Sequence, residues 1–85
     1  MLRISKLADY GTVVMVYLAH RENEVCNARD IAHKTHLTLP TVSKLLKRLT
    51  SQDLLHSVRG ANGGYQLKRP AQNISVAEII YALEE

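Results

Sequence analysis

Apolar residues recur along most of this chain at intervals of three and four. Leu7, Tyr10, Val14, Tyr17 and Leu18 share a helical face, which predicts an amphipathic helix from about Lys6 to His20. Arg21-Glu22-Asn23-Glu24 breaks that pattern with four polar residues, and Val25-Cys26 has the length of a short edge strand. Asn27 then reads as an N-cap, with Asp30 three residues on, where a carboxylate meets the positive end of a helix dipole. The helix it opens turns Ile31 and Ala32 inward and is too short to stand alone. His36 to Leu39 reads as a turn, and a third helix starts near Pro40, because proline in a first turn has no helical hydrogen bond to lose. Either Thr38 or Leu39 caps it. Val42, Leu45, Leu46 and Leu49 form one apolar stripe ending near Gln52. Lys44, Lys47, Arg48 and Ser51 fall on the opposite side, with Thr41 and Ser43 on the flanks.

Past Gln52 the pattern changes. Leu54 to Arg59 and Tyr65 to Lys68 read as strands around Gly60-Ala61-Asn62-Gly63-Gly64, whose glycines and asparagine supply the positive φ of a tight or bulged hairpin. Pro70 ends the second strand. Ser75-x-x-Glu78 is a capping box, flanked by Ile74 and Ile79 as a hydrophobic staple. The helix it starts is expected to bury Val76, Ile79, Ile80 and Leu83. The order α-α-α-β-β-α predicts a mainly α fold with a small β-hairpin. That is a winged helix-turn-helix forming one domain over residues 1–85, with the helix-turn-helix at about 28–52 and the wing at about 54–68.

Composition adds limits. A chain of 85 residues buries only ~60–65% of its unfolded surface. With 46% hydrophobic residues, no Trp and no Phe, its core is aliphatic. A single cysteine, Cys26, excludes an internal disulfide and fits a reducing cytoplasm. The opening Met1-Leu2-Arg3-Ile4-Ser5-Lys6 lacks the apolar run of a signal peptide. Val13 to Ala19 is far short of the ~20 residues of a membrane span, so no membrane association is expected. Net charge is +3, unevenly placed. Between Leu37 and Arg69 stand six positive side chains (Lys44, Lys47, Arg48, Arg59, Lys68 and Arg69) against Asp53 alone, and the remainder of the chain is net negative. A basic middle points to a polyanion partner.

Two short helices joined by a tight turn, the second with a basic outer face, have the form of a helix-turn-helix reading double-stranded DNA. Its apolar stripe anchors the second helix while the other face enters the major groove. Thr38, Thr41, Ser43 and Lys44 lie in the turn and first helical turns, where base contact is usual, and Lys47 and Arg48 are better placed for phosphate. Arg59 and Asn62 sit at the tip of the following wing, suited to the backbone or a narrow minor groove. Other chemistry is poorly supported. His33-x-x-His36 has no third ligand in reach, so no metal site is expected. Gly60-x-x-Gly63-Gly64 precedes a strand, whereas a phosphate-binding loop precedes a helix. Cys26 and the four histidines form no local nucleophile–base–orienter set, so no enzyme is expected. The rival reading is a winged helix that docks a protein through the apolar faces of helices one and four. Such a module has no need of Lys44, Lys47, Arg48 and Arg59 as a group.

Several motifs together resemble a known family. They are Asp9-Tyr10, Tyr17-Leu18-Ala19, Ile31-Ala32, Leu45-Leu46-x-x-Leu49, the wing Val58-Arg59-Gly60-x-x-Gly63-Gly64-Tyr65-x-Leu67, Arg69-Pro70, and Ile74-Ser75-Val76-x-Glu78-Ile79-Ile80. On these, the chain resembles the Rrf-type winged-helix transcription regulators, the IscR-, NsrR- and CymR-like proteins. The opening Met1 to Leu7 looks most like the branch that regulates SUF iron–sulfur assembly genes. The resemblance implies a sequence-specific DNA-binding regulator, a repressor in character, acting in the cytoplasm and homodimeric in its full-length form. Many members hold an iron–sulfur cluster through three cysteines after the fourth helix, followed by a long dimerisation helix. Both would lie past Glu85, so this chain is expected to be a fragment with no cofactor of its own, a cluster belonging to a longer form. Cys26 matches no ligand position. In some members an acidic residue at the position of Asp9 reaches the partner subunit's cluster; by itself Asp9 reads equally as a solvated or capping carboxylate.

Overall fold

The computed structural model describes residues 5–84. Four helices, α1 (Lys6–Ala19), α2 (Ala28–Thr35), α3 (Leu39–Ser51) and α4 (Val76–Leu83), surround a hairpin of β1 (Leu55–Val58) and β2 (Gly64–Leu67). A short 3-10 turn, Ala71–Asn73, precedes α4. The fold is a mainly α winged helix-turn-helix.

Each helix begins on a side-chain cap that occupies one of the otherwise unpaired N-terminal amides. Ser5, Asn27, Thr38 and Ser75 accept from the amides of Ala8, Asp30, Thr41 and Glu78 respectively. Thr38 is therefore the cap of α3, which starts at Leu39. Around Ser75 the box closes both ways, because the Glu78 carboxylate also accepts from the Ser75 amide at 2.9 Å.

One aliphatic core joins every element. Val14, Leu18, Ile31, Val42, Leu45, Leu46, Leu49, Leu55 and Leu83 are fully enclosed. The stripe expected on α3 is its buried face, and Ile31 with Ala32 is the buried face of α2.

The outer helices differ from the sequence pattern. On α1 the buried residues are Ala8, Gly11, Val14, Met15 and Leu18, whereas Tyr10 is exposed and Tyr17 and Leu7 are half-buried. Apolar residues run nearly all round α1, so their spacing alone did not select a face. The small Ala8 and Gly11 face inward, with Gly11 lying against Leu83 of α4. On α4 the buried set is Ile79, Ala82 and Leu83. Ile80 is half-buried and Val76 is 59% exposed, both expected inside. Val76 overhangs an apolar groove of about 160 Å³ between α1, α4 and the 3-10 turn, which also takes in Met15, Val16, Ile74 and Ile79.

The strands pair antiparallel in the register Leu55–Leu67, His56–Gln66, Ser57–Tyr65 and Val58–Gly64. The edge strand expected at Val25–Cys26 is a single bridge, in which the Cys26 and Tyr65 main chains exchange hydrogen bonds of 3.0 and 2.8 Å. This bridge changes the role of the wing glycines. Only Gly60 has positive φ, at 115°. At Gly63 a Cβ would strike the Val58 carbonyl, and at Gly64 the Cys26 main chain. Close approach of backbone, rather than positive φ, excludes side chains from both positions.

Candidate DNA interface

The loop between α2 and α3 is three residues long. His36 ends α2 in the left-handed conformation, with φ 60° and ψ 29°, and the Leu37 amide donates to the Ala32 carbonyl. That turn seats α2 against α3 and leaves the second helix gripped on two flanks. On one, Arg48 Nε donates to the Ala82 carbonyl of α4 at 3.1 Å. On the other, Thr50 and Ser51 border the inner face of the hairpin. Between the flanks Lys44 and Lys47 project outward, with Thr41 and Ser43 half-buried at the margins.

The packing separates the basic residues into two groups. Lys68 pairs with Asp53 at 2.9 Å, and Arg69 pairs with Glu78 at 2.8 Å while donating to the Asn73 carbonyl. Arg48 is bound to α4. These three cations hold the fold together. Lys44, Lys47 and Arg59 are exposed and have no hydrogen bond or ion pair among the described residues. Arg48 is thus placed differently from the solvent-facing cation its helical position suggests. Its guanidinium sits half-buried at the α3–α4 seam, because α4 crosses that flank.

Thr38 and Thr41 are joined, the Thr38 hydroxyl donating to the Thr41 hydroxyl at 2.9 Å, so the cap and the first-turn side chain are held as a unit. At the wing tip Gly63 donates to the Gly60 carbonyl at 3.0 Å, closing a turn that exposes Arg59 and Asn62. The three projecting cations and these hydroxyls form a basic, hydrogen-bonding surface on α3 and the wing.

The remaining candidates lie elsewhere. Asp9 is exposed in the first turn of α1, where a carboxylate complements the helix dipole. Cys26 is buried, and burial pushes its thiol pKa up, with Glu24 acting in the same direction, so it is protonated at neutral pH. Among the described residues no three His, Cys, Asp or Glu side chains converge as a metal site. A lone buried, protonated cysteine and a distant carboxylate do not fit an iron–sulfur cluster, which needs several thiolates brought together. Residues 1–4 of the stretch likened to the SUF-regulating branch lie outside the described residues.

The model of a family described as iron-dependent transcriptional regulators, Rrf2, matches residues 4–85. The chain belongs to the Rrf2 family. This Rrf2 chain is 34% identical to the transcriptional regulator IscR of Cereibacter sphaeroides over 87 residues, which is 99% of the chain and 56% of that relative. It is 32% identical to the protein rrf2 of Nitratidesulfovibrio vulgaris, covering 57% of it. Among solved structures, CymR, the global cysteine regulator of B. subtilis, superposes with a TM-score of 0.94 at 33% identity, over 99% of this chain and 66% of that one. The IscR of T. potens gives 0.91 at 35% identity, over 99% and 62%. The Rrf2 chain therefore spans somewhat more than half the length of these curated relatives. No described helix is long and apolar enough to cross a membrane.

One part of this surface was missed in the sequence. Ser57 and Tyr65 stand opposite each other on the hairpin face that also carries Leu55 and Leu67, turned toward α3. The available signal was the strand's two-residue period, which puts a polar Ser57 on the inward side.

Proposed function

We propose that this chain is the DNA-reading unit of a transcription regulator that binds a specific duplex sequence and represses from it. The observation carrying this reading is the set Lys44, Lys47 and Arg59, three exposed cations without protein partners, presented together by α3 and the wing. Thr41, Ser43 and Lys44 address base edges; Lys47 and Arg59 address the backbone, with Arg59 and Asn62 beside the minor groove. The reading assigns binding and no catalysis to these residues, and places the protein in the cytoplasm. A longer form binds as a homodimer, since helix-turn-helix dimers meet two half-sites one helical turn apart. Iron–sulfur assembly genes, the targets suggested by the SUF-like opening, and cluster sensing belong to that longer form. The exposed Val13, Val16, Val76 and Tyr81 favour a protein contact through α1 and α4 in addition to DNA binding.

The test is duplex binding across a salt series. The expected log–log slope is steep, and each of Lys44→Ala, Lys47→Ala and Arg59→Ala should reduce it by about 0.9. Binding indifferent to salt would reject the reading and leave the protein-docking module in its place.

A further inference from the structure

We infer that the cleft between α3 and the inner face of the wing is a seat for one phosphate of the DNA backbone, held by Lys47, Ser57 and Tyr65. This assignment rests on the DNA-reading function proposed above and adds residues and a position to it.

The geometry of a duplex supplies the first argument. A helix in the major groove and a wing tip in the neighbouring minor groove straddle a single sugar–phosphate strand, because that strand is the wall between the two grooves. The strand must then cross whatever lies between α3 and the hairpin. In this protein that region is a cleft of about 240 Å³ lined by Lys47, Thr50, Ser51, Ser57 and Tyr65.

The second argument concerns which of these groups are available. Thr50 and Ser51 already donate their hydroxyl protons to the Leu46 and Arg48 carbonyls, at 2.7 and 2.8 Å. The Lys47 ammonium and the Ser57 and Tyr65 hydroxyls have no partner among the described residues. One cation and two hydroxyl donors around a hollow suit a singly charged phosphodiester.

Their placement is also fixed. Ser57 and Tyr65 are cross-strand partners, and the Tyr65 main chain is doubly bonded to Cys26 while its ring packs on the core. Lys47 projects from a helix anchored on both flanks. A seat built on rigid elements selects one phosphate rather than following the backbone loosely.

The test uses the 85-residue protein and a duplex that it selects from a random pool, with single phosphates replaced in turn by neutral methylphosphonate. Replacement at one phosphate, between the major-groove contacts and the wing's minor-groove contact, should weaken wild-type binding on the order of tenfold. Tyr65→Phe and Ser57→Ala should each weaken binding of the unmodified duplex roughly three- to tenfold at an unchanged salt slope, since no charge is lost. In both variants the penalty at that phosphate should shrink while penalties elsewhere persist. Free inorganic phosphate at millimolar concentration should leave the same contrast, which separates a backbone seat from a site for the free ion. If the protein bound DNA but both variants kept wild-type affinity and the full penalty at every position, the seat would be rejected and the DNA-reading function would stand. If it bound no duplex at all, both would fall.

Discussion

At the residue scale, a few positions have geometry that determines how they respond to change. Gly64 lies so close to the Cys26 main chain that a side chain there must displace backbone, and Arg59, five residues earlier, points into solvent. Gly64→Val is therefore expected to damage the fold, losing cooperative thermal unfolding, and Arg59→Ala to unfold normally but bind DNA more weakly. Circular dichroism beside a DNA titration distinguishes the two. His36 is held in the left-handed region at the end of α2, a conformation that costs a residue with a Cβ about 1–2 kcal/mol. His36→Gly should gain roughly 0.5–1 kcal/mol in denaturant unfolding, after the extra freedom of glycine in the unfolded chain is subtracted, and His36→Val should lose a comparable amount. Lys44 is expected to read a base. Its replacement by Ala should cost roughly 1–3 kcal/mol at one base position and relax preference there. Equal weakening on specific and random duplexes would reduce it to a phosphate contact.

At the scale of elements, the seams between helices and wing are held by charge. Arg69 leaves β2 and holds the carboxylate of Glu78, which lowers the Glu78 pKa below the usual carboxylate range, the Ser75 amide adding to the effect. A carboxylate depressed in the folded state stabilises at pH above its unfolded pKa, and that contribution fades as pH falls through the folded value. Glu78→Gln should accordingly be less stable than wild type at neutral pH, with the gap in Tm closing as the solution is acidified below the ordinary carboxylate pKa. A gap independent of pH would mean that the carboxylate charge is not what holds this end of α4. At the opposite end Arg48 ties α3 to the Ala82 carbonyl. Arg48→Ala should lower stability by about 1 kcal/mol and leave the salt slope of DNA binding unchanged. A slope reduced by about 0.9 would instead return Arg48 to the phosphate contacts.

At the scale of the whole molecule, a recognition helix and one wing make a single half-site reader. Affinity for a two-part site then depends on connection rather than on new contacts. Two copies of the 85 residues joined through an appended coiled coil should bind paired half-sites one helical turn apart 10²–10⁴-fold more tightly than the unlinked chain, an increase that disappears when the spacing is moved by half a turn. Equal affinity at all spacings would indicate that the copies bind independently. The apolar groove between α1 and α4, with Val16 and Val76 exposed beside it, lies away from Lys44, Lys47 and Arg59, so protein contact and DNA contact occupy separate surfaces.

Local rules determined much of this protein from its sequence alone. Asn27 and Ser75 were legible as caps because a cap bonds within three residues of itself, and the α3 stripe was legible because a two-faced helix has only one way to turn. The Arg-Gly-x-x-Gly-Gly-Tyr wing was legible for the same reason, as a hairpin whose loop is short. What depended on partners distant in the chain was decided only by the tertiary structure. The buried faces of α1 and α4 follow from their mutual packing, since both helices are apolar on more than one side. Gly63 and Gly64 are excluded from carrying side chains by approaching backbone, which no local φ preference reveals. Of the six cations between Leu37 and Arg69, the sequence supplies the number and the fold supplies the division: Arg48, Lys68 and Arg69 found carbonyls and carboxylates within reach, leaving Lys44, Lys47 and Arg59 to face outward. The cleft joining Lys47 to Ser57 and Tyr65 exists only once the hairpin folds back beside α3, because its parts come from three elements whose spacing along the chain carries no record of their meeting.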